Sequence, residues 1–326
     1  MRDFTILVLP GAYAASVAIT LDMLQTATVM ALRLRLPQPT WRVISPNGGP
    51  VALSSGLSIE TVRMPVRESA DLSAWIVPGL GLDSPSAVAQ RLSNATSDRA
   101  ISRLRRHVNR GGSVAASCSA VFLLQAAGLL QGRRATISWW FASELRRLQP
   151  DCEVDADRMV VSDGLVTTAG AAFGQSDLML HLLRVRFSPA LADAVGKVLL
   201  IDGRQAQSRF IVPSLLANGD MLISRLTQFI ESSLPHPPSV SRLAQEFAMS
   251  HRTLSRHVQA ATGQSPLALI QAVRLNRARL LIESSRMSVG QVAQEVGYVD
   301  ATALRRLMQQ TVGANPSAFR SAATWR

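Results

Sequence analysis

Through about residue 205, short apolar runs alternate with longer stretches of helical spacing. The runs at 4–9, 41–45, 74–77, 113–116 and 165–168 predict strands, and 17–34, 98–110, 120–127, 141–148, 175–186 and 189–201 predict helices. Strands that are apolar throughout and separated by helices predict a mostly parallel sheet covered on both faces, an α/β sandwich. Ligands on such folds sit at the carboxyl ends of the strands. The run 4–9 is broken by Pro10-Gly11, and Asp22 follows. A membrane-spanning helix needs about 20 apolar residues. The run therefore reads as a buried strand, and the chain as cytoplasmic with no membrane partner.

Beyond Arg209 the pattern changes. Pro213 and Asn218-Gly219 mark a linker, and from Met221 onward the spacing is helical throughout. The predicted organisation is a first domain over 1–210, a linker over 211–218 and an all-α domain over 219–326. Two segments of the last part repeat: SVSRLAQEF at 239–247 and SVGQVAQEV at 288–296. Each opens with a serine suited to cap a helix. Each places apolar residues on one helical face: Val240, Leu243, Ala244 and Phe247, then Val289, Val292, Ala293 and Val296. A tight turn and a second cap follow, Ser250 and Asp300, then helices with Leu254/Val258 and Leu304/Met308 facing inward. Helix, short turn and helix is the helix-turn-helix pattern. It recurs at 239–260 and 288–310, joined by a helix over 266–284. Those 19 residues span roughly 28 Å at ~1.5 Å per residue, approaching the ~34 Å turn of B-DNA.

Charge sharpens this picture. The 326 residues carry 34 basic and 22 acidic side chains, a net of +12, and Lys197 is the only lysine. A GC-rich genome explains arginine in place of lysine but not the distribution. Residues 235–326 hold 11 Arg and 4 acids, a net of +7 in under a third of the chain. The outer faces of the second helices carry Arg252, Ser255 and Arg256 in one copy and Thr302, Arg305 and Arg306 in the other. That is the electrostatic footprint of a double-stranded DNA reader. At 47% hydrophobic and 17% charged residues, the chain supports real cores and is not a disordered polyelectrolyte. Two cysteines provide neither a disulfide framework nor a zinc site, and no metal or cofactor is expected.

Residues ~225–322 resemble the DNA-binding domain of AraC/XylS transcriptional regulators. The matching pieces are VRLNRA at 273–278, Gly297-Tyr298, and NPSAFR at 315–320, with Met308 where an aromatic residue is usual. The resemblance implies that Arg252, Ser255, Arg256, Ala301, Thr302, Arg305 and Arg306 face bases or nearby phosphates.

Cys118 is the candidate for chemistry in the first domain. It lies in VAASCSAVF at 114–122, where an apolar strand turns into a helix among small residues, as in a nucleophile elbow. A helix N-terminus there favours a thiolate. The turn Val77-Pro78-Gly79-Leu80-Gly81 offers backbone N–H groups to an anion or carbonyl. A lone buried cysteine can equally be a small hydrophobe.

The first domain resembles the class I glutamine-amidotransferase-like superfamily, in its PfpI-like branch, through LVLPG at 7–11, VPG at 77–79, the Cys118 elbow with the stretch to Thr136, and Thr168-Ala-Gly170 with Asp177 and His181. This implies a flavodoxin-like fold. It also places the acid partner of the cysteine at Asp22 and the expected histidine at Ser138, which cannot act as a base. His107 and His181 lie on helices and read as structural. The resemblance implies a ligand sensor and homodimerisation unit, with small nitrogenous effectors such as amino acids or quaternary amines. The expected lining is Asp22, Gly79, Cys118, Ser119 and Trp139, with Trp140 beside them. An acid and an indole together suit a cation. The expected function is a catalytically degenerate sensor joined to a DNA reader that acts with the transcription machinery. The rivals are a DNA-tethered cysteine hydrolase or amidase using Cys118, and a redox sensor through the same thiol.

Overall fold

The structure is a computed structural model that describes residues 2–65, 71–204, 207, 220–312 and 315–316. The chain divides into two compact units, residues 1–207 and 208–326. The linker expected at 211–218 lies outside the described residues.

The first unit is built from β1 (Phe4–Leu7), α1 (Ala14–Leu34), β2 (Trp41–Ser45), β3 (Gly49–Ala52), β4 (Ser58–Arg63), β5 (Ala74–Val77), α2 (Pro85–Leu92), α3 (Ala95–Asn109), β6 (Val114–Ser117), α4 (Val121–Ala126), β7 (Arg134–Ala135), α5 (Ala142–Leu148), β8 (Glu153–Val154), β9 (Val160–Asp163), β10 (Val166–Ala169), α6 (Gly174–Arg186) and α7 (Pro189–Val198). The main sheet runs β3-β4-β2-β1-β5-β6-β10-β9. Pairings from β4 through β10 are parallel, and both outermost pairings, β3 with β4 and β9 with β10, are antiparallel. The small pair β7-β8 stands apart. Helices α1, α6 and α7 pack on one another, as do α2, α3, α4 and α5.

The five expected strands all form within two residues of their bounds, the first ending at Leu7 rather than at residue 9. β1, β5, β6 and β10 are buried at every position, which is why they read as unbroken apolar runs. β3 and β4 were not foreseen. They are a half-exposed hairpin at the sheet edge, carrying Pro50, Glu60 and Arg63, and edge strands need no continuous apolar face. α1 corrects one expectation: its 21 residues are by length and composition sufficient to cross a membrane. In the folded chain its Val17, Met23, Leu24, Ala27 and Ala31 are buried in the core, against α6 and α7.

The second unit contains α8 (Met221–Ser232), α9 (Val240–Glu246), α10 (His251–Thr262), α11 (Pro266–Ser284), α12 (Val289–Glu295) and α13 (Ala301–Val312). Ser239, Ser250, Ser265 and Ser288 cap α9, α10, α11 and α12, each accepting a hydrogen bond from the N3 backbone N–H. Asp300 does the same for α13 through the N–H groups of Thr302 and Ala303. The inward positions are closed: Leu243, Leu254, Val258, Val292, Leu304 and Met308 are almost wholly buried. Met308 packs in one cluster with Leu304, Val292 and Val296, filling the space expected of it.

The two helix-turn-helix turns close identically. Ala248 and Gly297 bond back to Gln245 O and Gln294 O, and Met249 and Tyr298 to Ala244 O and Ala293 O. Both turn residues adopt the left-handed conformation, φ +51° at Ala248 and +79° at Gly297. An alanine there carries a steric penalty that glycine escapes. Ala248→Gly is therefore expected to stabilise the second unit by about 0.5–1 kcal/mol, after allowing for glycine's freer unfolded chain. Slower amide exchange across α9 and α10 would register the gain; faster exchange would contradict it.

Candidate functional site

Cys118 closes the end of β6 in the left-handed region, φ +53°, where a non-glycine residue persists only if its surroundings enforce it. The enforcement is visible on three sides. Ser119 Oγ donates to Leu80 O at 2.5 Å, tying the elbow to the turn after β5. A side-chain carbon on Gly79 would lie 3.0 Å from Cys118 Cβ, so the glycine makes room for the thiol. Ser138 Oγ donates to Cys118 Sγ at 3.0 Å and accepts from the Ala171 N–H at 3.1 Å. Gly79, Cys118, Ser119, Ser138 and Trp139 are all buried. Gly79, Cys118, Ser119 and Ser138 thus meet at the carboxyl ends of β5, β6 and β10, with Trp139 next to Ser138 in the chain.

Asp22 does not join them. It is exposed on α1, while Ser16, Thr20, Met23 and Leu24 form the buried face. The residue at the elbow is Ser16, about a turn and a half earlier: its Oγ lies 3.5 Å from the same hypothetical Gly79 carbon and donates to Ala172 O. The acid and indole invoked for a cation are therefore not assembled. The turn after β5 is also not open to an anion at Gly81, whose N–H is bonded to Gly11 O.

The surroundings of Cys118 also oppose the expected thiolate. Burial pushes the Cys118 thiol up, outweighing the hydrogen bonds from Ser138 and Ser119 that favour the charged form. His107 Nε2 is bonded to Ser73 O at 3.0 Å, with its ring stacked on Trp75. His181 Nε2 is bonded to Ser162 Oγ at 2.9 Å. Both histidines are engaged elsewhere. Cys152 is likewise buried and is pushed up to about 11, mainly by burial.

A consequence follows for stability. A thiol whose folded pKa is raised holds its proton more tightly in the native state. That contribution is complete below the ordinary value of 9.0 and is lost as pH rises through the folded pKa. The first unit should weaken above pH ~9 as both buried thiols titrate, and Cys118→Ala should remove the Cys118 share of that loss in urea titrations. A loss equally steep in the variant would contradict the assignment.

Other buried groups at this site gave no sequence signal. Gln175 Nε2 donates to Thr20 Oγ1 at 2.8 Å, while Gln175 Oε1 and Ser117 Oγ are buried without a partner. Gln207, the last described residue of the first unit, is 1% exposed. Its carboxamide bonds to Thr136, Ile137, Trp139 and Arg158, bracing the segment that carries Ser138.

In the second unit, Arg252, Arg256, Arg305, Arg306 and Thr302 are exposed, and Ser255 and Ala301 half-buried. α10 and α13 contain no acidic residue, so the charges of Arg252 and Arg256, and of Arg305 and Arg306, are not offset on their own helices. Ser255 and Arg256 lie beside the inward Leu254, and Arg305 and Arg306 beside Leu304. The second turn is clamped. Arg274 of α11 donates to Val296 O at 2.8 Å and Gly297 O at 2.7 Å, with its guanidinium 3.6 Å over the Tyr298 ring. A side-chain carbon on Gly297 would lie 2.4 Å from Pro235 O and 2.6 Å from Pro237 Cδ.

Comparison with known proteins agrees with this division. A DJ-1/PfpI family model matches residues 21–184, and a helix-turn-helix domain model matches 243–322. The HTH-type transcriptional regulator CdhR of Pseudomonas aeruginosa is 25% identical over 325 residues, covering 98% of this chain and 92% of the relative. The HTH-type transcriptional regulator GlxA of Rhizobium meliloti is 26% identical over 298 residues, 89% of each chain. The crystal structure of an AraC family transcriptional regulator from Pseudomonas putida superposes with a TM-score of 0.50 at 22% identity, covering 61% of this chain and 100% of that one, a likeness of fold.

Proposed function

The chain belongs to the DJ-1/PfpI family and carries an AraC-type helix-turn-helix domain behind that fold; it is a DNA-binding transcriptional regulator, and on that premise we propose that its first unit senses a small metabolite without turning it over. The observation that carries this reading is the partner of Cys118. A cysteine nucleophile needs a base within hydrogen-bond reach. Among the described residues the side chains bonded to the thiol are the hydroxyls of Ser138, at 3.0 Å, and Ser119, and neither accepts a proton at neutral pH. The thiol is also buried and held protonated, so it is poised neither for attack nor for oxidation. What is left is a cluster of buried polar groups at the usual ligand position of the fold.

On this reading Arg252, Arg256, Arg305 and Arg306 contact bases or phosphates from two recognition helices, with Ser255, Ala301 and Thr302 beside them. The protein works in the cytoplasm as a homodimer, each copy contributing two motifs, and acts on the transcription machinery. An effector shifts DNA binding by as much as its affinity differs between the two DNA-binding states, a coupling of about 1–3 kcal/mol in typical cases. The test is direct. Full-length protein is titrated with panels of small nitrogenous metabolites while binding to its selected DNA is followed, and ammonia release from L-glutamine is assayed in parallel. A metabolite-dependent change in DNA affinity without ammonia release is expected. Turnover abolished by Cys118→Ser would overturn the non-catalytic reading.

A further inference from the structure

The carboxamide of Gln207 lies in a slot cut for it. The two Nε2 protons are shared among Ile137 O at 2.9 Å, Thr136 Oγ1 at 3.0 Å and Arg158 O at 3.1 Å, and the Oε1 accepts from the Trp139 N–H at 3.2 Å. The orientation is fixed by chemistry. Ile137 O and Arg158 O only accept, the Trp139 N–H only donates, and the Thr136 hydroxyl proton is spent on Arg158 O. The floor of the slot is Gly170, where a side-chain carbon would fall 2.1 Å from both Cδ and Nε2 of Gln207. The slot touches the elbow directly. Ile137 and Trp139 flank Ser138, whose hydroxyl holds Cys118, and Gly170 precedes Ala171, whose N–H holds Ser138.

We propose that this slot is a primary-carboxamide binding site whose resident occupant, Gln207, exchanges with the carboxamide of a small effector, releasing the end of the first unit from the elbow. The proposal rests on the sensing reading and adds the chemical class of the ligand. A carboxylate is rejected because its oxygens would face two carbonyls. An ammonium is rejected because it leaves the Trp139 N–H facing another donor. The resident side chain competes as a tethered ligand at high effective concentration. A free carboxamide therefore binds weakly unless it gains contacts beyond the slot or the tether is removed. In the chain Gln207 stands 13 residues before Asp220, which caps α8.

The experiment uses propionamide, the analogue of the glutamine side chain, and propionate, its anionic isostere, with full-length protein in ligand-observed NMR titrations. Gln207→Ala should bind propionamide at least about tenfold more tightly than the unchanged protein, because its site is no longer self-occupied. Propionate should bind to neither. Adding Gly170→Ala to Gln207→Ala should abolish the gain. In the unchanged protein, the Gln207 side-chain NH2 protons should exchange slowly and be released by propionamide but not propionate, a readout that does not depend on the variants folding. Equal propionamide affinity with and without Gln207, or equal affinity for propionate, would overturn the carboxamide site. The sensing reading would survive that result if some other metabolite still changed DNA affinity. It would fall separately if none did.

Discussion

Gly297→Ala is expected to cost the second unit about 2–5 kcal/mol and to abolish high-affinity DNA binding. Two effects add. The turn requires φ +79°, which costs an alanine about 1–2 kcal/mol. The added carbon would also sit 2.4 Å from the backbone oxygen of Pro235, and overpacking a closed contact costs about 1–3 kcal/mol. Neither neighbour yields easily, since one is main chain and the other a proline ring. Arg274 already holds the carbonyls of Val296 and Gly297, so the turn cannot shift to relieve the clash without breaking those bonds. Amide exchange across α12 and α13 should accelerate sharply while the first unit is unaffected. The contrast with Ala248→Gly makes the argument testable from both sides, because the same turn position in the two repeats predicts opposite signs. Exchange unchanged by Gly297→Ala would show that the close approach to Pro235 does not hold in solution.

The second large effect concerns the recognition helices. Arg256→Ala should weaken binding to selected DNA by about 1–3 kcal/mol, roughly 5–150-fold, if its guanidinium reads a base bidentately. Binding to random DNA should fall much less, with a salt slope reduced by about one. Arg305→Ala, in the other motif, should behave alike. If the motifs occupy separate half-sites the two losses should add. Equal losses on selected and random DNA would reduce both arginines to phosphate contacts. No loss for Arg305→Ala would mean that the second motif does not engage DNA.

These expectations show where the chain was legible. The repeat at 239–247 and 288–296 was readable because each short helix needs its own serine cap and apolar stripe, and those signals are local. The buried parallel strands were readable for the same reason: every position of β1, β5, β6 and β10 is inside. The edge hairpin β3-β4 was not, since its residues face solvent and its pairing is all that defines it. The elbow at Cys118 was visible from a strand running into small residues. Its partners were only partly so. Ser138 fell where expected, but Asp22 lies on the wrong side of α1, because an acid six residues beyond Ser16 is displaced about 240° around a helix of 3.6 residues per turn. Gln207 and Gly170 are 37 residues apart in the chain and meet only through the tertiary fold, so no local pattern marks them. The thiol's state depends on burial, which a sequence does not display.

The two arginine-faced helices of one chain are proposed to read DNA together. Selection of full-length protein against a random DNA pool tests this most directly. Each copy of the chain should select a unit of two conserved blocks about 10 bp apart, centre to centre, one lost with Arg256→Ala and the other with Arg305→Ala, and a homodimer should select that unit twice. Recovery of DNA with no preferred sequence, or of a single block indifferent to Arg305, would contradict the joint reading.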